Sequence, residues 1–419
     1  MSCLLVTVLI VFGLSAYAID FSRGILLDIP DEVAARQFGK MPPSKLSPED
    51  SASIASYRFT GDTIKVLAVL VHWSDRPATY SKETFDSLFS SKDIHPSGSV
   101  ADYFYEVSYG QMNAAIDVLD WYDAGTYDPY FDFENLFWQL DPIIDYSQYD
   151  GDNDGNVDAV IFLRSGNGQE DSGDPNDIWS YAYIYNPGYG PGPYDGVMIP
   201  RWCTSPETMP LREPSFPIVF SGVDSLNTIS VAAHELAHNM GAPDLYDYDA
   251  KLEVSTFTTP NDDNDHPFVD WCLMGYNGYG LLSIKKLVPP HLCGWNKNLL
   301  GWIEPVILDA SSPNEIVIYD IETHKDSSLY LIPITPWRGE YFLLEYRNPH
   351  STAKFDKLDS DFSVFLWPDL TFGCDTLDRG LLITHVDESV GASFWSINSG
   401  SPDYDHYTVA VEDAGYNPS

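Results

Sequence analysis

Apolar positions along the chain follow two periods. Ile64-Lys65-Val66-Leu67-Ala68-Val69-Leu70-Val71 is apolar almost throughout, which predicts a strand buried on both faces. A short helix is expected at Lys82–Phe89. From Ser99 to Gly110 the pattern changes: Val100, Tyr103, Phe104 and Val107 fall at i, i+3, i+4 and i+7, the spacing of one buried helix face, and Gly110 ends it. Strands are expected at Ala115–Tyr122 and Val157–Leu163. Alternation of strand and helix predicts an α/β layer. Asn186–Pro193 alternates Pro and Gly and reads as a loop. Pro289–Val306 reads as a helical segment. Beyond Glu304 come short β-rich runs, Glu315–Ile321, Ser328–Ile332, Glu340–Arg347 and Gly380–Val386, which predict a β-rich, sandwich-like C-terminal domain. The expected division is therefore a leader at 1–18, an N-terminal pro-segment or arm at 19–60, a main α/β (α+β) domain at 61–305 and a β-rich domain at 306–419.

The leader has the form of a secretory signal peptide. Leu4–Leu14 is apolar but short for a membrane span, and Ala16-Tyr17-Ala18 supplies a small-x-small cleavage site. No other stretch is apolar enough to cross a bilayer, so a secreted, extracellular protein without a transmembrane segment is expected. Residues 19–60 carry Pro30, Pro42, Pro43 and Pro48 and little apolar patterning. No cysteine lies between Ile19 and Gly61, which excludes latency through a thiol. Cys3 would leave with the leader. Cys203, Cys272, Cys293 and Cys374 remain, and in an oxidising compartment they could form two disulfides in any of three pairings.

Charge narrows the partners. The 419 residues carry 22 basic and 62 acidic side chains, a net charge of −40. Such a surface repels phosphate backbones, which argues against nucleic acid, and attracts cations. Asp150-Gly151-Asp152-Asn153-Asp154-Gly155-Asn156-Val157-Asp158 concentrates four carboxylates around a turn-forming glycine. Asp150, Asp152, Asp154 and Asp158 are candidate Ca²⁺ ligands, although Ile161 stands where an EF-hand would place its closing Glu. Asn261–Asp265 is a second acidic loop, read as solvated charge.

The densest chemistry is His234-Glu235-Leu236-Ala237-His238-Asn239-Met240-Gly241-Ala242-Pro243-Asp244. On a helix, His234 and His238 lie one turn apart on the same face and can share one zinc ion, with Glu235 beside them as a general base for an activated water. Asn227, Thr228 or Ser230 could cap the helix start. Gly241 suits a left-handed exit that returns Asp244 as a third ligand, with Asp247 a nearby competitor. Two imidazoles, a carboxylate and an open position are the donor set of a catalytic zinc.

These residues, with Trp271-Cys272-Leu273-Met274-Gly275 downstream, resemble the secreted metallopeptidases related to immune inhibitor A, of the metzincin group. Similar stretches run from about Ile64 to Glu388: Ser99–Gly110, Asp152–Gly166, Pro289–Val306, Tyr341–Arg347 and Gly380–Glu388. The resemblance implies a metzincin-like catalytic domain and a zinc endopeptidase acting on protein or peptide substrates. It implies that Met274 packs beneath the imidazoles without binding the metal. Tyr276 sits where some metzincins stabilise the transition state. His385 and Asp387 are read as structural. Two other classes remain to be distinguished: a calcium-dependent binding or adhesion module with a vestigial zinc site, and a zinc hydrolase of non-peptide bonds.

Overall fold

A computed structural model describes residues 24–27, 59, 61–95, 97–186, 188–213, 219–246, 271–275, 288–309, 315–335, 339–348, 350–355, 379–388 and 408–411. In chain order the strands are β1 (Gly24–Leu27), β2 (Thr63–His72), β3 (Asn113–Val118), β4 (Tyr122–Asp123), β5 (Ala159–Asn167), β6 (Tyr181–Tyr185), β7 (Arg201–Glu213), β8 (Val219–Leu226), β9 (Val306–Ile307), β10 (Leu329–Thr335), β11 (Glu340–Arg347), β12 (Gly380–Asp387) and β13 (Val409–Val411). The helices are α1 (Lys82–Phe85), α2 (Val100–Val107), α3 (Glu134–Leu140), α4 (Gln169–Ser172), α5 (Ile229–Met240) and α6 (Gly294–Leu299).

The first sheet runs β1-β6-β7-β5-β2-β3, with β4 also on β2 and β8 on β7. Its centre is parallel: β2 pairs with β3, β4 and β5, and β5 with β7. The β6, β8 and β1 pairings are antiparallel. Strand β2 explains its continuous apolar run. Val66, Ala68 and Leu70 enter one core, and Leu67, Val69 and Val71 enter the other. Buried on both faces, it needs no polar alternation. The second core is largely aromatic: Trp202, Phe133, Phe137 and Phe162 meet with ring centroids 5.3–6.3 Å apart.

Helix α2 matches its periodicity, and Val100, Tyr103, Phe104 and Val107 are all buried. Ser99 and Asp102 form a reciprocal capping box at its start. The expected helix at Lys82–Phe89 is α1 running into a π-type turn at Asp86–Ser90. The expected long helix at Pro289–Val306 shortens to α6, because two prolines and the C-terminal Gly301, at φ +78°, bound it. Glu315–Ile321 alternates like a strand but is irregular, meeting the sheet through a bridge between Asp320 and Tyr346 and the Tyr330 hydroxyl on the Val317 carbonyl.

The second sheet runs β13-β12-β11-β10-β9, antiparallel except for β9 on β10. Among the described residues the C-terminal region is thus one five-stranded layer, not the two layers of a sandwich. It backs onto the same core as the first sheet: Ile321, Leu329, Leu343, Val386 and Val409 cluster with residues of α2 and α5. The Tyr109 hydroxyl donates to the Ile321 carbonyl at 2.7 Å across this join. Of residues 19–60, Gly24–Leu27 adds a strand to the edge of the first sheet by pairing with Tyr185–Ala182. The signal-peptide stretch and Asn261–Asp265 lie outside the described residues, and no described helix is long and apolar enough to cross a membrane.

Candidate metal centre

Helix α5 is set by its caps and its burial. Of the three candidate caps, Thr228 serves: its hydroxyl accepts the Ser230 N–H at 3.3 Å, while its own N–H donates to Asn227 Oδ1 at 2.8 Å. Every residue from Ile229 to Met240 is buried. Gly241 takes φ +106°, as a left-handed exit requires. Its N–H and that of Ala242 satisfy the carbonyls of His238 and Ala237 at 2.9 and 3.0 Å. The turn then brings Asp244 back against the helix.

His234, Glu235, His238 and Asp244 each have 0% exposure. His234 Nε2 lies 3.1 Å from His238 Nε2 and 3.1 Å from Asp244 Oδ1, and His238 Nε2 lies 3.4 Å from the same oxygen. The other ring nitrogens face carbonyls: His234 Nδ1 is 2.8 Å from Leu273 O, and His238 Nδ1 is 2.7 Å from Ala242 O. Each Nδ1 therefore donates, and each Nε2 turns its lone pair to the shared point. A tetrahedral ion about 2.0–2.1 Å from each donor would hold the donors about 3.3–3.4 Å apart. The observed triangle fits that spacing, so the three atoms could hold a metal ion.

Protonation is biased the same way. Burial, the largest influence, lowers the His234 imidazole below its usual value against the pull of Asp244. Burial alone would raise the Asp244 carboxyl, but His238 and His234 outweigh it and hold the group below the carboxylate range. Both directions favour the deprotonated, metal-binding forms.

The turn at Trp271–Gly275 holds both arms of this triangle. Its Leu273 carbonyl receives His234 Nδ1, and its Met274 carbonyl accepts the N–H of Leu245, next to Asp244, at 2.9 Å. Met274 is fully buried. The turn is gripped in turn by the second sheet. Arg347 Nη2 donates to Trp271 O, Arg347 Nε donates to Glu345 Oε1 at 2.7 Å, and Glu345 Oε2 accepts the Gly294 N–H at the start of α6. Sequence patterning does not single out Glu345 and Arg347, because a charged pair within a strand ordinarily faces water. Tyr276, Asp247 and Cys374 lie outside the described residues.

At the acidic loop the structure brings Asp150, Asp152 and Asp158 together, each with a carboxylate oxygen within 4.8 Å of the others. Asp154 is not in that group; its carboxylate turns back to accept the Asn156 N–H at 2.8 Å. Asp150 accepts from the N–H groups of Asp154 and Gly155, and Asp158 from those of Lys65 and Gly151, so the carboxylates also shape the turn. Burial raises the Asp158 carboxyl, against those two N–H donors. His385 lies 3.4 Å from Glu340 and against the Phe342 ring on the second sheet. Cys203, Cys272 and Cys293 are buried free thiols.

In comparisons with known proteins, no family model matches the chain and no curated protein matches it.

Proposed function

We propose that the chain is a secreted zinc-dependent endopeptidase, of the kind related to immune inhibitor A, with a metzincin-like catalytic domain. One observation carries this: two Nε2 atoms and a carboxylate oxygen, all fully buried, meet in a 3.1–3.4 Å triangle sized for a tetrahedral ion. His234, His238 and Asp244 would hold Zn²⁺, which when bound lowers the pKa of water to about 7 and polarises a carbonyl. Leu273 and Ala242 carbonyls fix the tautomer and tilt of both rings. Glu235, adjacent to His234 on α5, accepts the proton of the attacking water and returns it to the leaving amine nitrogen. Met274 supplies an apolar floor. Asp244 in place of a third imidazole donates more negative charge, which makes the metal a slightly weaker Lewis acid. Ca²⁺ is proposed at Asp150, Asp152 and Asp158, as a structural ion.

Casein hydrolysis by the full chain, beside Glu235→Gln and after chelation and zinc readdition, tests the proposal. Activity lost on chelation, restored by zinc and absent in Glu235→Gln is expected. Bound zinc with hydrolysis only of non-peptide esters would assign a different hydrolase. A folded protein that binds calcium but no zinc would leave the binding or adhesion module.

A further inference from the structure

Cys272 and Cys293 are far apart in sequence but share one buried pocket. Each has 0% exposure. The Cys293 N–H points at Cys272 Sγ at 3.3 Å, and both thiols donate to the same Asn296 Oδ1, at 3.2 and 3.3 Å. The two side chains also interact directly. Their chains are tied side by side by the Leu273 N–H on the His291 carbonyl at 3.2 Å. Cys203 lies elsewhere, on β7, with its side chain facing Asn239 on α5.

We propose that Cys272 and Cys293 are joined as a disulfide in the mature protein. The bond would fasten the turn beneath the imidazoles to Cys293, the residue that begins α6. It selects one pairing among those the sequence leaves open. The chemistry is thiol–disulfide exchange with a protein disulfide donor. One cysteine thiolate attacks a donor sulfur, and the donor's second sulfur leaves as a thiolate. The remaining cysteine thiolate then attacks the mixed disulfide and releases the donor as a dithiol. Two electrons and two protons pass from the cysteine pair to the donor. Burial pushes the Cys293 thiol up, so the exchange belongs to folding, before the pocket closes. Oxidation removes two S–H donors from Asn296, which are weak ones.

The consequence for the metal centre rests on the zinc proposal: the cross-link would steady the Leu273 carbonyl that orients His234. The cross-link itself is read whether or not zinc is bound, so the two can fail separately. The test is peptide mapping of the full chain secreted from an oxidising host, unfolded in a thiol-blocking maleimide without reductant. The expected result is a linked peptide pair containing Cys272 and Cys293, lighter by two hydrogens than the sum of the reduced peptides and separated by reduction. Maleimide on both cysteines would overturn the proposal, as would either one linked to Cys203 or Cys374.

Discussion

Replacing Glu345 with Ala tests how firmly the second sheet holds the metal centre. The carboxylate is 1% exposed and accepts from Arg347 Nε and from the Gly294 N–H, while Arg347, 2% exposed, reaches on to Trp271 O. The substitution removes two charge-assisted hydrogen bonds and takes the Glu345 carboxylate away from a buried guanidinium. Breaking a buried ion pair on one side costs about 3–5 kcal/mol. That is a large share of a typical total of about 5–15 kcal/mol. Urea unfolding monitored by tryptophan fluorescence should show that loss, with Glu345→Gln costing less because it keeps an acceptor at the same place. Because Trp271 and Leu273 belong to one short turn, zinc affinity should fall as well, by about tenfold or more, as for other outer-shell supports of a ligand. A loss of stability below about 1 kcal/mol would refute the buried-pair energetics. A large loss with unchanged zinc affinity would refute the coupling between the sheet and the turn.

Three further outcomes are expected. Asp244→Ala should lower zinc affinity by more than about a hundredfold, beyond the usual cost of outer-shell losses, while Asp247→Ala leaves it unchanged; competition with a zinc-sensitive dye measures both. Asp132 is pushed up to about 6 by burial and by the neighbouring charge of Glu134, against the Glu134 N–H. Its ionised form therefore costs stability above pH 6, and the cost disappears as pH falls towards its unfolded value near 4. At about 1.4 kcal/mol per tenfold change in proton affinity the limit is about 3 kcal/mol, and solvent relaxation trims it to about 1–2. Asp132→Asn should show that gain at pH 7.5 and lose it by about pH 4 in denaturant titrations; an equal gain at both pH values would refute the assignment. Calcium at about a hundred times its dissociation constant should stabilise the wild type by about 2.7 kcal/mol and Asp152→Ala far less, read by thermal unfolding.

Much of the centre was legible because local rules govern it. Helix α2 follows from its apolar spacing. The four-residue offset of His234 and His238, the glycine after Met240 and the return of Asp244 are all local geometry. What escaped depends on the rest of the molecule. Strands β7 and β8 did not stand out, since Pro206 and Pro210 interrupt β7 and look like strand breakers. They persist beside pairings that shift register around both prolines. Glu315–Ile321 shows the opposite failure: its alternation suits a strand, yet among the described residues it pairs through a single bridge, Asp320 with Tyr346, and Val317 stays 69% exposed. In β11, Leu343, Glu345 and Arg347 alternate on the buried face. Trp271 and Gly294, distant in sequence, supply polar partners to the charged pair there. The acidic loop divides the same way: spacing gathers the acidic residues, but the backbone turns Asp154 aside.

The most direct test of the account is X-ray absorption at the zinc edge on the zinc-loaded full chain. One zinc per chain is expected, with two imidazole nitrogens and oxygen donors at about 2.0–2.1 Å and no sulfur. A sulfur shell at about 2.3 Å would place the metal on cysteine instead of the His234, His238 and Asp244 triangle. Failure of the folded protein to take up zinc would contradict the centre altogether.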